Sequence, residues 1–348
     1  LDAQRMNRNI VRLNDRLRRL GVALRPHLKT AKSIDVARLL MPTAAGPATV
    51  STLREAEQFG AAGVRDILYA VGIAPGKLAQ VIELRRSGID LSVILDSREQ
   101  AQAVAAASRE AKERIPVLIE IDSDGHRAGI RPGDARLVEA GRILVEGGAE
   151  LRGVMTHAGG SYDHPGAEAL TAAAEQERAA VVRSATALRE AGLPCPIVSV
   201  GSTPTAHFAR DLTGVTEVRA GVFVFFDLVM AGLGVCAVDD IAVSVLATVI
   251  GHQREKGWIV LDAGWTAMSR DRGTATQTVD QGYGLVCDLA GRPYQDLIMS
   301  GNHQEHGIVS IRKGSSAQLP HLPVGSLVRV LPNHACATAA QHDRYHVY

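Results

Sequence analysis

The sequence predicts an α/β protein that begins with a (β/α)8 barrel and ends in a separate β domain. Up to about residue 231, short apolar runs alternate with helical patterns, and no two runs are joined by the two-residue turn of a hairpin. Beyond that point the runs are separated by turns rich in Gly, Asp and Pro, with little helical periodicity. The first pattern is typical of parallel βαβ units. We therefore expect domains at residues 1–231 and 232–348.

The chain opens with an amphipathic helix over residues 2–20, where apolar side chains recur at spacings of three and four. Eight short buried strands follow; the first begins with the run 21–24, and the others are expected at 49–51, 67–70, 91–95, 117–121, 151–155, 197–200 and 216–219. Helices are expected between them at 33–40, 52–59, 75–86, 97–110, 136–146 and 165–191. The β domain is expected to hold strands at 241–250, 258–261, 282–288, 307–312 and 327–331. Eight βα units predict a barrel whose active site lies at the carboxyl ends of its strands.

Composition indicates the expected cellular location of the protein and the classes of partner to expect. Hydrophobic residues make up 46% of the 348 residues and charged residues 22%, which is typical of a globular protein. The net charge of +1 gives no reason to expect a nucleic-acid or membrane partner, and no apolar run approaches the roughly 18–20 residues of a membrane span. The chain starts at Leu1 in mid-pattern without a visible signal peptide, so we expect trimmed ends and a cytoplasmic location. Four scattered cysteines fit reduced thiols rather than a disulfide framework.

A lysine at the end of the first strand is the first candidate for chemistry. The strand leads into Arg25-Pro26-His27-Leu28-Lys29-Thr30. Alone, these six residues are more typical of a solvated surface lysine. At a barrel mouth among Arg25, His27 and Lys32, the ammonium form of Lys29 would be disfavoured, which leaves the amine available for a Schiff base.

Small and hydroxyl-bearing residues follow the seventh strand. Gly201-Ser202-Thr203 lead into Pro204-Thr205, a turn that starts a helix and offers free backbone N–H groups to an anion. Such a turn is equally common as a plain loop, but phosphate sites in barrels often lie after strand seven. Gly221, just after the eighth strand, could complete the cradle.

Further polar side chains follow strands five and six. Arg127, in the loop 122–129, presents a forked guanidinium that can grip a ring oxygen or nitrogen, or a carboxylate. An ion-paired loop is the alternative interpretation. His157 and Tyr162 follow strand six, and for His157 we expect a supporting or cofactor-stacking role rather than direct chemistry.

A His-x-Cys pair lies near the C-terminus, at His334 and Cys336. In extended backbone, residues two apart point to the same face. Imidazole and thiolate suit Zn²⁺, and two protein ligands leave positions open for water and substrate. The pair alone is a weak signal of a metal site. Other histidines of the same domain add a little weight to it, namely His303, His306, His342 and His346.

Together these motifs resemble the fold-type III pyridoxal-phosphate enzymes, the alanine-racemase-like class, and within it the D-serine dehydratase and D-threonine aldolase branch. The resemblance covers nearly the whole chain and is most specific in 216–227 and 331–338. It implies that Lys29 bonds covalently to pyridoxal phosphate, that the turn at 201–205 takes its phosphate and that Arg127 faces its ring. His27, His157, Tyr162 and Gly221 are expected to line the same site. His334 and Cys336 are expected to bind a divalent metal beside the cofactor, and a homodimer is implied.

Within this branch, the metal pair favours one reaction. Dehydratases resemble the chain in having His-x-Cys, which suits zinc, whereas aldolases tend to carry His-x-Asp, which suits harder ions. Cys336 therefore favours loss of water from a 3-hydroxy-D-amino acid. We expect D-threo-3-hydroxyaspartate to give oxaloacetate and ammonia, and D-serine to give pyruvate. The metal is expected to be Zn²⁺, with Mn²⁺, Co²⁺ or Mg²⁺ as alternatives.

Three other functions share parts of this pattern. D-Threonine aldolase has the same frame but would release glycine and an aldehyde. Alanine racemase needs a second base, usually a tyrosine in the β domain, and no motif for one is present. A non-catalytic carrier of pyridoxal phosphate resembles the barrel alone, so the C-terminal β domain with its metal pair argues against that class.

Overall fold

A computed structural model describes all residues, 1–348. The chain divides into two compact units: residues 12–221 form one, and residues 1–11 together with 222–348 form the other. Helix α1, Ala3–Arg19, corresponds to the amphipathic helix expected from the sequence, and its residues are divided between the two units. The domain boundary expected after residue 231 stays a prediction. Each unit is described by itself below.

The unit 12–221 contains the predicted parallel barrel. Its strands are β1 Ala23–Pro26, β2 Ala48–Val50, β3 Asp66–Gly72, β4 Asp90–Leu95, β5 Pro116–Ile121, β6 Glu150–Thr156, β7 Ile197–Val200 and β8 Glu217–Ala220. Sequence neighbours pair in parallel from β2 to β8, and β8 pairs with β1. A parallel bridge between His27 and Thr49 brings the ends of β1 and β2 together. The (β/α)8 prediction is thus confirmed, and all eight strands share one carboxyl end.

Helices cover the outside of this sheet. They are α2 Ile34–Leu40, α3 Leu53–Ala61, α4 Leu78–Arg86, α5 Arg98–Ala111, α6 Arg136–Glu146, α7 Ala167–Glu190 and α8 Thr203–Phe208. The hydroxyls of Ser33, Thr52 and Ser97 cap the first turns of α2, α3 and α5, which fixes where those helices begin. At α3 Thr52 and Glu55 have the spacing of a capping box, but the Glu55 carboxylate accepts from the Ser51 N–H at 2.7 Å rather than from the Thr52 N–H.

The second unit contains a six-stranded antiparallel barrel. Its strands are β9 Val245–Gln253, β10 Trp258–Leu261, β11 Gly284–Cys287, β12 Pro293–Asn302, β13 Gly307–Ile311 and β14 Leu327–Pro332, closed in the order β10-β13-β12-β11-β14-β9. Buried apolar side chains such as Val249, Leu297 and Val330 fill its interior. Three short helices accompany it, α9 Leu228–Gly232, α10 Trp265–Met268 and α11 Ala335–Ala339. The predicted C-terminal β domain is confirmed in kind.

Strand β12 was not expected from the sequence. Its ends carry Pro293 and Gly301, and Asp296 has a left-handed φ of 52°, all features that indicate turns. The pairing register with β13 shifts between Met299 and Gly301. A bulged strand with such residues lacks the alternating pattern of a regular one.

Two smaller sequence expectations concern membranes and thiols. None of the helices combines the length and apolar character that crossing a bilayer requires. No disulfide joins the four cysteines, and burial raises the pKa of the Cys195 thiol to about 11 and that of Cys287 to about 12. These two thiols are therefore unreactive core residues near neutral pH.

Candidate active site

The loops after the barrel strands carry the predicted cofactor residues. Lys29 and His27 follow β1, Arg127 follows β5, His157 and Tyr162 follow β6, Gly201, Ser202 and Thr203 follow β7, and Gly221 follows β8. Charges on several of these side chains act on one another. Burial is the main cause that lowers the pKa of His27 and of His157, and the charges of Lys29 and the buried Arg219 lower both further. The charge of Arg127 also lowers the pKa of His157. The barrel therefore brings residues from distant parts of the chain into one site.

Backbone hydrogen bonds fix the loop that presents Lys29. The N–H of His27 donates to Ala220 O on β8, and the N–H of Leu28 donates to Thr49 O on β2, both at 2.8 Å. The loop is thus held between the two strands that flank β1. The Lys29 side chain itself is exposed, so its amine is accessible to a ligand.

The expected cluster of cations around Lys29 needs correction. Arg25 donates to Glu217 at 2.8 Å and to Asp66 at 2.7 Å, and these carboxylates stand at the first residues of β8 and β3. Arg25 therefore lies at the amino-terminal mouth, on the border of a cavity of about 330 Å³, and not beside Lys29. Lys32 is paired with Glu55.

His27 is not a cation either, since burial, followed by the charge of Lys29, lowers its pKa well below the usual value. Arg219, which sequence reasoning did not single out, supplies buried positive charge instead. It is 4% exposed and donates to Ser199 Oγ and to the carbonyl of Thr156. The sequence did contain a sign of this role, because Arg219 lies within a predicted buried strand, where a charged side chain is unusual.

The turn after β7 differs from the expected anion cradle, because the N–H groups of Gly201, Ser202 and Thr205 are not free but donate to groups within the protein. Gly201 leaves no room for a side chain, because an added Cβ would lie 1.8 Å from Arg219 O. At Gly221 an added Cβ would lie 2.9 Å from Thr30 Oγ1. Thr203 is 1% exposed, and its hydroxyl has no hydrogen-bond partner in the protein. A buried orphan hydroxyl costs free energy unless a ligand satisfies it.

Ser202 has a different part in this turn. Its hydroxyl accepts from the Thr205 N–H at 3.2 Å as the cap of α8, and it lies 3.0 Å from Ser161 Oγ. The Ser202 N–H in turn donates to Thr205 Oγ1 at 3.2 Å. Ser202 therefore shapes the turn, whereas Thr203 presents a free hydroxyl.

His157 is held as a neutral ring. Its Nδ1 lies 2.7 Å from Gly201 O, so Nδ1–H donates to that carbonyl. Burial lowers the pKa of His157 to about 3, despite the opposing effect of this hydrogen bond. The ring of Tyr162 lies with its centroid 6.2 Å away and is tilted by 48°. A neutral, fixed imidazole suits stacking on a planar ring better than proton transfer.

Arg127 and Glu120 form an ion pair at the same mouth. Arg127 lies 3.4 Å from Glu120 Oε1, and its side chain is 60% exposed while that of Glu120 is 7% exposed. Burial raises the pKa of Glu120, and the charge of Arg127 opposes this. The guanidinium is thus tethered by one contact and keeps donors for a ligand.

The other unit contains the predicted metal pair. His334 has extended backbone (φ −136°, ψ 107°) and caps α11, whereas Cys336 lies inside the first turn of that helix. The expectation of extended backbone is therefore wrong for Cys336. The thiol nevertheless lies near enough to the imidazole to raise the pKa of His334. Asp271 Oδ2 lies 2.5 Å from His334 Nδ1, so this carboxylate holds the ring through Nδ1 and not through Nε2.

Two buried polar residues hold this turn in place, and sequence reasoning missed both. Asp227 accepts from the Ala335 N–H at 2.9 Å, between the two residues of the pair. Asn333 bonds to the N–H of Thr274 at 3.0 Å and to Gly282 O at 2.7 Å.

Charge around the pair favours a cation. Burial lowers the pKa of His334, but Cys336, Asp227 and Asp271 outweigh it and raise the pKa to about 10. The protein therefore holds a positive charge between these groups. One imidazole nitrogen and one sulfur near each other fit a borderline-soft divalent ion, although no group of three or more His, Cys, Asp or Glu side chains is arranged as a ligand set.

Comparisons with known proteins show the family of the chain. The family model "alanine racemase, N-terminal domain" matches residues 1–229, and the serine dehydratase domain model matches residues 242–348. D-threo-3-hydroxyaspartate dehydratase of Delftia sp. (strain HT23) is 57% identical over 348 residues, covering 99% of this chain and 92% of the relative. D-serine dehydratase of Dictyostelium discoideum is 30% identical over 358 residues, covering 97% and 89%.

Solved structures extend the likeness to three dimensions. Two mutants of D-threo-3-hydroxyaspartate dehydratase, one histidine-to-alanine and one cysteine-to-alanine in the metal-free form, each match with a TM-score of 0.97 at 56% identity. They cover 100% of this chain, which in turn covers 90% and 92% of theirs. The chain belongs to the fold-type III pyridoxal-phosphate family, with an alanine-racemase-like barrel followed by a serine dehydratase domain.

Proposed function

We propose that the protein is a pyridoxal-phosphate- and metal-dependent dehydratase that removes water from D-threo-3-hydroxyaspartate, and also from D-serine. The products are oxaloacetate or pyruvate, with ammonia. The observation that carries this proposal is the placement of His334 and Cys336 at the start of α11, where Asp271 holds the imidazole and Asp227 accepts from the Ala335 N–H between them. It is supported by the relative at 57% identity, whose solved histidine and cysteine mutants differ at positions two apart, the spacing of His334 and Cys336.

The residues at the barrel mouth fit pyridoxal phosphate. The orphan hydroxyl of Thr203 suits the phosphate, and Gly201 and Gly221 keep side chains out of the space around it. The neutral ring of His157 suits stacking, and the free donors of Arg127 suit the oxygen of the cofactor ring. Ser202, His27 and Tyr162 complete the proposed cofactor set. When bound, the cofactor accepts the electron pair left at the substrate α-carbon.

Lys29 is the proposed base of the reaction. Its exposed amine would hold the cofactor covalently at rest, and Nζ, when free, would accept the α-proton of the substrate. His157, neutral and committed to Gly201 O through Nδ1, is excluded from that role near neutral pH. The enamine that leaves the site hydrolyses to the oxo acid and ammonia.

His334 and Cys336 are the proposed metal ligands, with Zn²⁺ preferred over Mn²⁺, Co²⁺ or Mg²⁺ because of the sulfur donor. When bound, the metal supplies a Lewis acid that makes the β-hydroxyl a better leaving group. Asp271 orients the imidazole through Nδ1, and Asp227 orients the turn between the two ligands. Ions that prefer oxygen ligands, such as Mn²⁺ and Mg²⁺, would bind more weakly to a site that contains the sulfur of Cys336.

Product analysis on three substrates tests this function. D-Serine, D-threonine and D-threo-3-hydroxyaspartate are given in parallel to the zinc-loaded protein, and ammonia, oxo acids, glycine and aldehydes are measured. We expect ammonia and oxaloacetate from the dicarboxylate at the highest kcat/KM, and slower release of pyruvate from D-serine. Glycine with an aldehyde as the main products would make the protein an aldolase and refute the proposal.

The orphan hydroxyl gives a test of the phosphate site. Thr203→Val keeps the shape of the side chain, and should weaken pyridoxal phosphate binding about 10- to 100-fold, since a hydrogen bond to a charged group contributes about 1.5–3 kcal/mol. Binding of pyridoxal, which lacks the phosphate, should stay unchanged. An equal loss for both ligands in absorbance titrations of the cofactor-free protein would contradict this role.

The oligomeric state, the cellular location and the partners of the enzyme are inferred from the family and from composition. We infer a homodimer from the family resemblance, and a cytoplasmic location from four cysteines that form no disulfide. The net charge of +1 supports small-molecule substrates rather than nucleic acid or membrane as partners.

A further inference from the structure

We propose that Glu177 is a positioning residue, which fixes the phosphate-binding turn and the His157 loop relative to each other. The inference rests on the proposed use of pyridoxal phosphate. Glu177 lies within α7 and is 2% exposed. A carboxylate buried to this degree is unfavourable unless several donors satisfy it. Its donors show what the carboxylate does.

Both loops donate to the same carboxylate oxygen. Glu177 Oε1 accepts from the Ala158 N–H and from the Gly201 N–H, each at 3.0 Å. The hydroxyl of Thr205 also hydrogen-bonds to this carboxylate. Ala158 follows His157, and Gly201 opens the turn that contains Thr203. One side chain from a helix therefore joins the two loops at the residues next to their functional groups.

Both the N–H and the carbonyl of Gly201 form hydrogen bonds. Its N–H is bound by Glu177, and its carbonyl accepts from His157 Nδ1 at 2.7 Å. Since Gly201 has no side chain to restrict its backbone, these two bonds define its orientation. Loss of the carboxylate would free the N–H groups of Gly201 and Ala158, and the turn with Thr203 could then rotate away from the phosphate.

A pair of variants distinguishes a role of Glu177 in positioning the phosphate-binding turn from a role in the stability of the fold alone. Glu177→Gln retains an oxygen that can accept both N–H groups, whereas Glu177→Met removes the acceptors at similar volume. Dissociation constants of pyridoxal phosphate and of pyridoxal are measured on the cofactor-free proteins by absorbance titration. We expect Glu177→Met to weaken pyridoxal phosphate binding about tenfold or more, as the two backbone hydrogen bonds and the bond from Thr205 are lost, and pyridoxal binding much less. Glu177→Gln should stay within about threefold of the unaltered protein.

Leu188→Ala is the matched control, because Leu188 is a fully buried residue of the same helix. It should lower the melting temperature without changing the ratio of the two dissociation constants. If Glu177→Met does not fold, Glu177→Asp, which keeps the charge but shortens the reach, should show the same selective loss. Unchanged pyridoxal phosphate affinity, or an equal loss for both ligands, would overturn the inference. Failure of the unaltered protein to bind pyridoxal phosphate would overturn the proposed function as well.

Discussion

Lys29→Ala should abolish the absorbance of the lysine-bound cofactor and lower kcat/KM by more than about 10³-fold. The expected size follows from the loss of covalent attachment together with general base catalysis, which by itself contributes about 10²- to 10⁴-fold. Because the backbone of this loop is fixed by bonds to Ala220 and Thr49, the truncation should leave the fold intact. Pyridoxal phosphate should still bind noncovalently through the phosphate cradle.

A neighbouring lysine serves as the control. Lys32 pairs with Glu55 and has a left-handed φ of 49°, so Lys32→Asn is a compatible substitution. This variant should retain the cofactor absorbance and most of the activity. A Lys29→Ala protein that kept the absorbance band and full turnover would show that another amine attaches the cofactor.

Cys336→Ala should lower zinc affinity and dehydratase turnover together, the latter by about 10²-fold or more. The loss is large because a Lewis acid on the leaving hydroxyl contributes several kcal/mol to transition-state stabilisation. His334 would then be the remaining member of the pair, still oriented by Asp271. Metal content by atomic emission and ammonia release measure the two effects on the same sample.

A second substitution at the same position tests the chemistry of the donor. Cys336→Asp replaces sulfur by oxygen and should shift the preference from Zn²⁺ toward Mn²⁺ or Mg²⁺. Cys287→Ala, which removes a buried thiol on β11, is the control and should leave metal content unchanged. Full zinc content and turnover in Cys336→Ala would remove this residue from the metal site.

The fold could be predicted from the sequence because apolar strand segments and amphipathic helix segments alternate regularly along the chain. Strands 197–200 and 258–261 and helix 136–146 were predicted at their observed bounds, since their apolar patterns are unbroken. Strand β12 was missed because its bulge and its Pro, Asp and Gly residues resemble those of a turn. Periodicity carries no information about irregular pairing, which depends on the partner strand.

The positions of candidate site residues could be predicted where a residue follows a strand directly. Ion pairs between residues far apart in the sequence could not be predicted. Lys29 and Thr203 could be found from their place after strands one and seven. Arg25 was expected beside Lys29, although its partners Glu217 and Asp66 draw it to the opposite mouth. Glu177 gave no signal, because a single glutamate in a long helix is ordinarily a solvated residue.

The metal-dependent loss of water is tested most directly by one measurement on D-threo-3-hydroxyaspartate. Release of ammonia and oxaloacetate is followed for the purified protein, for the same sample after removal of metal with EDTA, and after zinc is restored. We predict that both products disappear together on metal removal and return with zinc, while the cofactor absorbance persists throughout. Full oxaloacetate release from the metal-free protein, or glycine and glyoxylate as products, would contradict the account.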